Sequence, residues 1–238
     1  MRFYTNVQMV GDNFLVRGYE DGKHFATREK FYPTLFVDSK RKTKYKTLDG
    51  KYVESVEPGT VRECRDFMKN YSEVENFNIY GNERYIYQYI SDKYPEVEVK
   101  FDIEKIKLTT IDIEVASENG FPDVESCAEE ILLITLQDYT TKQIRTWGRG
   151  GFNNKQDNVI YKGFDTEYQL LSDFINWWMI EENTPEVITG WNSKLYDIPY
   201  LCRRIDRILG EKLKKRMSPW GLVTEEETYI AGRKHISY

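Results

Sequence analysis

The sequence predicts an α/β chain, α+β overall, in two parts: a small aromatic-rich α+β region over residues 1–100 and a mixed-sheet α/β region over residues 101–238. Three observations predict it. Short aromatic and β-branched runs alternate with turn signals in the first part. Three apolar, β-branched runs follow one another after residue 106. Two segments of helical period then flank a further strand-like run.

The elements follow in order. NFLVRGYEDGKHFATREKFYPTLFV holds a hairpin signal at Asp21-Gly22 between two strand-like runs, and a second turn falls at Asp49-Gly50. Residues 60–71, TVRECRDFMKNY, read as an amphipathic helix with Val61, Cys64, Met68 and Tyr71 on one face and capping-box spacing from Thr60 to Glu63. The rest of residues 1–90 reads as short strands and turns. After YPEVEVK, three successive strands are expected in KLTTIDIEVAS, EILLITLQDYT and KQIRTWGR. DTEYQLLSDFINWWMIEEN reads as a helix, capped by Asp165 or Thr166, with Leu170, Leu171, Phe174, Ile175 and Trp178 on one side. EVITGW is a fourth strand. DIPYLCRRIDRILG is a second helix carrying Leu201, Ile205, Ile208 and Leu209 and stopping at Gly210. A three-strand meander followed by helix, strand and helix is the order of a ribonuclease H-like domain with a mixed sheet and a right-handed crossover.

Composition narrows the function. Of 238 residues, 40% are hydrophobic, enough for a core. No apolar run reaches the ~18 residues a membrane span needs. MRFYTNVQMVGDN lacks an apolar signal core, so a cytoplasmic protein is expected. Cys64, Cys127 and Cys202 match neither a zinc nor a disulfide framework. With only His24 and His235, a histidine-rich metal site or a Ser-His-Asp triad has little support. The net charge of −5 does not advertise nucleic-acid binding. Charge is nevertheless local. KRKTKYK (40–46) and RRIDRILGEKLKKR (203–216) are basic, each open to reading as a solvated face or as a phosphate contact.

TTIDIEVA raises a sharper question. Residues two apart on a strand point the same way, so Asp112 and Glu114 share one face while Ile111, Ile113 and Val115 take the other. Two solvated acids on an exposed face are one reading. A divalent cation relieving the repulsion of paired carboxylates is the other. TGWNSKLYDIPY adds Asp197 at a helix start, readable as an ordinary N-cap behind a turn residue, Asn192. In the ribonuclease H-like order the fourth strand lies beside the first, which brings Asp197 near Asp112 and Glu114. Three carboxylates around one point suit a two-cation phosphodiester site.

These residues carry a resemblance. TTIDIEVAS resembles the first exonuclease motif of family B DNA polymerases, D-I-E, and TGWNSKLYDIPY resembles the second, N-x-x-x-[F/Y]-D. FYPTLFV, RECRDFMKNY, YISDKY, FPDVESCAEEILLIT and RMSPWGLV are similar to the replicative polymerases of T-even-like tailed phages. The likeness covers nearly the whole chain. It implies an N-terminal domain over 1–100 and most of a 3'-to-5' proofreading exonuclease domain over 101–238. By that resemblance Asp112 bridges two Mg²⁺ or Mn²⁺ ions, Glu114 binds the ion that activates water, and Asp197 holds the second ion. Phe121, Asn192 and Tyr196 fall where the family contacts the single-stranded 3' end of DNA. For Phe121 a loop-anchoring core role is the alternative.

The family's third motif, Y-x-x-x-D, supplies a fourth carboxylate beyond the second motif. Nothing after Asp197 fits it, and Asp206 reads as a surface acid paired with an arginine. Palm, fingers and thumb have no counterpart in the sequence. The expectation is a cut fragment or one half of a split polymerase, weakly active or inactive alone, needing a second polypeptide. In the split case the tail ETYIAGRKHISY pairs with structure from that partner. The other reading is a non-catalytic nucleic-acid- or partner-binding module, with KRKTKYK and the tyrosines contacting template strand or RNA.

Overall fold

A computed structural model of the protein describes residues 1–81, 83–95, 98–118, 120–224, 230 and 232–237. The chain divides into two compact units, Met1–Phe101 and Asp102–Tyr238.

The first unit begins with an antiparallel sheet of β1 (Arg2–Val10), β2 (Asn13–Glu20) and β3 (Lys23–Lys30). The β2–β3 hairpin turns at Asp21 and Gly22, both with positive φ (49° and 77°), as a two-residue turn matching strand twist requires. β4 (Leu35–Asp38), β5 (Tyr45–Lys46) and β6 (Tyr52–Val56) follow, then α1 (Val61–Tyr71), β7 (Ile79–Tyr80) and α2 (Tyr85–Lys93). Both bonds of the capping box between Thr60 and Glu63 form at the start of α1. The second sheet has the order β5-β6-β4-β7. Phe14, Val16, Phe31, Leu35, Val61, Cys64, Tyr85 and Tyr89 make the core. The helix α2 departs from the expectation of strands and turns. Its sequence YIYQYI is β-prone, but one face buries Tyr85 and Tyr89, so packing overrides propensity.

The second unit holds β8 (Leu108–Val115), β9 (Ile131–Asp138), β10 (Ile144–Arg149), β11 (Val159–Phe164), α3 (Glu167–Trp178), β12 (Val187–Gly190), α4 (Asp197–Leu209), α5 (Glu211–Lys214) and β13 (Lys234–Ser237). They form a six-stranded mixed sheet of order β11-β10-β9-β8-β12-β13. β8, β9 and β10 are an antiparallel meander, and β12 lies parallel to β8. Thr166 and Gln169 make a capping box for α3, and Gly210 ends α4 with φ 90°.

The core of this unit joins Ile111, Ile113, Ile131, Ile134 and Leu136 of the sheet to Leu170, Leu171, Phe174, Ile175 and Trp178 of α3. The indole N–H groups of the buried tryptophans find acceptors, Trp147 on Asp173 at 2.9 Å and Trp178 on the Met217 carbonyl at 3.0 Å. Two expectations are corrected. A further strand, β11, precedes α3 and pairs parallel with β10. In the tail, the described residues Lys234–Ser237 pair with β12 of this same chain, and residues 227–229, 231 and 238 lie outside the described residues.

Candidate functional site

β8 answers the question of the paired acids. Ile111 and Ile113 are buried in the core, and Asp112 and Glu114 emerge exposed on the other face. β9 pairs along one edge of β8, while β12 pairs along the other only at Leu108–Thr110. Beyond Thr110 the second edge is open to other elements.

The chain leaves β12 at Gly190, where an added Cβ would meet the Ile111 carbonyl oxygen at 2.5 Å and Ser193 Cβ at 3.0 Å. Asn192 then takes a left-handed backbone, φ 50°, which asparagine tolerates better than most residues. Its carbonyl accepts the N–H groups of Leu195 and Tyr196, both at 3.0 Å. Asn192 is thus a turn residue by its backbone, and its side chain is exposed.

Asp197 departs from the N-cap expectation. Tyr196 holds the N-cap position without a side-chain bond, and Asp197 is the first helical residue. Its carboxylate is buried, and Oδ1 accepts the Ile113 backbone N–H at 3.1 Å. A buried strand N–H requires an acceptor, and the start of α4 supplies it where β12 has turned away. The bond fixes Asp197 to β8 at the residue between Asp112 and Glu114. Burial pushes the Asp197 carboxyl up to about 6; the Ile113 N–H opposes the rise, and the charges of Asp112 and Glu114 add to it. The Tyr196 phenol is raised by burial and by the charges of Asp197 and Glu114. The acids therefore share one electrostatic neighbourhood.

Carboxylate oxygens are hard donors of the kind Mg²⁺ and Mn²⁺ prefer. A divalent ion would offset both the burial that raises Asp197 and the repulsion from Asp112 and Glu114 that adds to it. As the side chains stand, no three His, Cys, Asp or Glu among the described residues come close enough together to hold an ion. Asp112 and Glu114 are exposed and rotatable. The donor set fits a divalent ion in kind, and enclosing one requires a rotamer change or an added ligand.

Aromatic side chains gather at the start of α4, where Tyr196 precedes Asp197. Phe121 is 85% exposed, which excludes the core-anchoring reading. Its ring lies 5.2 Å from that of Tyr196, centroid to centroid. Trp191 and Leu195 are also exposed on the turn before α4.

The loop that carries Phe121 is clamped by side chains the sequence did not single out. Arg203 donates to the Val124 carbonyl at 3.0 Å, Arg204 to that of Cys127 at 2.9 Å, and Arg207 to that of Ser126 at 3.2 Å. The Tyr200 hydroxyl donates to the Glu129 carbonyl at 2.7 Å. Arg204 also donates to both carboxylate oxygens of Glu167. Three of the four arginines of the basic run at 203–216, Arg203, Arg204 and Arg207, are thereby committed to the loop. The signal was present: Tyr200, Arg204 and Arg207 recur at helical spacing on one face. Asp206 pairs with Lys214, not with an arginine.

Comparison with known proteins places this geometry. The family model for the DNA polymerase family B exonuclease domain matches residues 58–237. The DNA-directed DNA polymerase of Enterobacteria phage T4 is 31% identical over 93% of this chain and 27% of that protein. The enzyme of the same name from Escherichia phage RB69 is 30% identical over 91% of the chain and 27% of that protein. The chain therefore spans about a quarter of the length of these relatives. The family B DNA polymerase of the archaeon Pyrobaculum calidifontis shares the fold, with a TM-score of 0.63 at 17% identity over 100% of this chain and 36% of that one. With the D-I-E strand, the N-x-x-x-Y-D turn and the mixed sheet that joins them all inside the matched span, the chain belongs to the family B DNA polymerases, and it carries their exonuclease domain.

Proposed function

We propose that this chain is the N-terminal and proofreading part of a phage-type DNA polymerase, hydrolysing the single-stranded 3' end of DNA in the 3'-to-5' direction. Residues 1–100 are the N-terminal domain and 101–238 the exonuclease domain. Asp112, Glu114 and Asp197 are the metal-binding and catalytic acids. The observation that carries this reading is the bond from Asp197 to the Ile113 N–H, which holds the helix-borne acid against the strand-borne pair.

Each residue has a task. Asp112 and Glu114 stand exposed, where a phosphodiester has access. Asp197 is fixed behind them as a buried anchor. Two Mg²⁺ or Mn²⁺ ions, when bound, would activate water and neutralise charge on the scissile phosphate. Phe121 and Tyr196 offer ring faces to the terminal bases, a contact that accepts any base because each has a π-face. The Asn192 side chain orients the last nucleotide beside them. The fourth carboxylate and the polymerisation centre are assigned to a partner segment, in the same or a second polypeptide, because the matched relatives are much longer. Such a protein would act in the cytoplasm of the host cell.

The test is degradation of a 5'-labelled single-stranded oligonucleotide by this chain, with Mg²⁺ and with Mn²⁺. The expected result is a weak 3'-to-5' ladder that strengthens when the partner segment is added. Asp112→Ala should abolish it. Hydrolysis that persists in that variant rejects the assigned acids.

A further inference from the structure

We propose that the outer face of the sheet β5-β6-β4-β7 is a docking groove for an acidic peptide bearing an apolar anchor, such as a tail or linker of a partner protein. This is independent of the nuclease reading and lies in the first unit. Strand alternation divides the sheet. Leu35, Val56 and Ile79 turn to the core cluster. Phe36 and Tyr80, paired across β4 and β7, and Tyr45 and Val53, paired across β5 and β6, turn the other way. Together with Leu48 they line a groove of about 420 Å³. Such a lining on a sheet face turned from the core calls for an occupant.

Leu48 sharpens the point. It is fully exposed at the tip of a well-formed turn, in which the Thr47 N–H donates to the Lys51 carbonyl at 2.9 Å. A leucine held out beside an apolar groove is positioned to close over an inserted side chain.

Charge selects the partner. Lys40, Arg41, Lys42, Lys44 and Lys46 are exposed on the segment that leads into β5, in a chain whose net charge is −5. Among the described residues none of these five enters an ion pair. Asp49 is the opposing charge on the lining. A polyanion fits, and two observations favour a peptide over a nucleic acid strand. Lys44 lies over the ring of Tyr45 at 4.7 Å. Its ammonium group covers a ring face of the groove on which a base would stack. β5 is also an edge strand, the position at which an extended peptide adds its own backbone bonds.

The probe is a short fluorescein-labelled peptide of aspartates and glutamates around a central Phe-Leu pair, titrated with the full 238-residue chain. Anisotropy should show saturable binding that weakens as salt rises. The triple variant Lys42→Glu, Lys44→Glu, Lys46→Glu should weaken it about tenfold or more. Leu48→Ser, and a peptide with Gly-Ser in place of Phe-Leu, should each weaken it several-fold. All the altered side chains are exposed, and circular dichroism verifies that the variants fold. Absence of binding, or equal binding of the Gly-Ser peptide, overturns the proposal. So does tighter binding of an oligothymidylate strand through the same lysines, which would make the face a nucleic-acid surface.

Discussion

Replacing Glu167 with alanine tests what holds the second unit together around its site. Glu167 is 6% exposed at the first turn of α3, and Arg204 is 6% exposed on α4. One carboxylate oxygen accepts the Ile131 N–H at 2.8 Å and Arg204 Nε at 2.7 Å. The other accepts from the same guanidinium, completing a two-pronged pair. The guanidinium in turn bonds the Cys127 and Ala128 carbonyls at 2.9 and 3.2 Å. Loss of the carboxylate strands a buried charge, for which breaking a buried pair costs about 3–5 kcal/mol. It also orphans the Ile131 N–H, at about 1–3 kcal/mol, though the two costs overlap. A net loss of about 4 kcal/mol corresponds to a fall in Tm of roughly 8–16 °C for a chain of this size. Thermal denaturation followed by circular dichroism measures it. The double variant Glu167→Leu, Arg204→Met is the discriminating control. It removes both charges together, so it should lose clearly less than Glu167→Ala. A single variant that costs under about 1 kcal/mol, or a double variant no better than the single, would refute the reasoning.

Further outcomes are expected at neighbouring positions. Gly190→Ala places a Cβ 2.5 Å from the Ile111 carbonyl oxygen and should cost about 1–3 kcal/mol in urea unfolding as β12 shifts from β8. Arg207→Ala removes two bonds from an exposed arginine, to the Ser126 and Cys127 carbonyls. It should speed amide exchange over residues 123–128 while leaving Tm within a few degrees. Mn²⁺ at about a hundred times its Kd should stabilise the folded chain by about 2.7 kcal/mol. Asp112→Ala should lose that gain in differential scanning fluorimetry, and an unchanged gain would place the ion elsewhere.

Much of this architecture was legible in local chemistry. The Thr60–Glu63 spacing gave the start of α1, and the apolar face from Leu170 to Trp178 gave α3, because caps and periodicity are written within one turn of helix. The alternation in TTIDIEVA separated exposed acids from buried isoleucines for the same reason. What was not legible depends on distant partners. YIYQYI is helical because Tyr85 and Tyr89 fill a core built from other strands. VIYKGF is a strand because β10 offers it an edge. Asp197 has the sequence of a cap, and only the open edge of β8 recruits it to Ile113. The arginines of α4 look like a solvated face until the loop carbonyls they bond are in place.

That open edge has one more implication. β12 accompanies β8 for three residues and then veers off at Gly190, so the sheet is forked, and the acids sit in the fork. The fork is made by omission: a ladder left unfinished, with one carboxylate standing where the next rung would be. A designer wishing to close off the proposed site without altering any acid would lengthen that ladder and let β12 zip onto β8 past Thr110. The sheet would gain hydrogen bonds, and the fork would close.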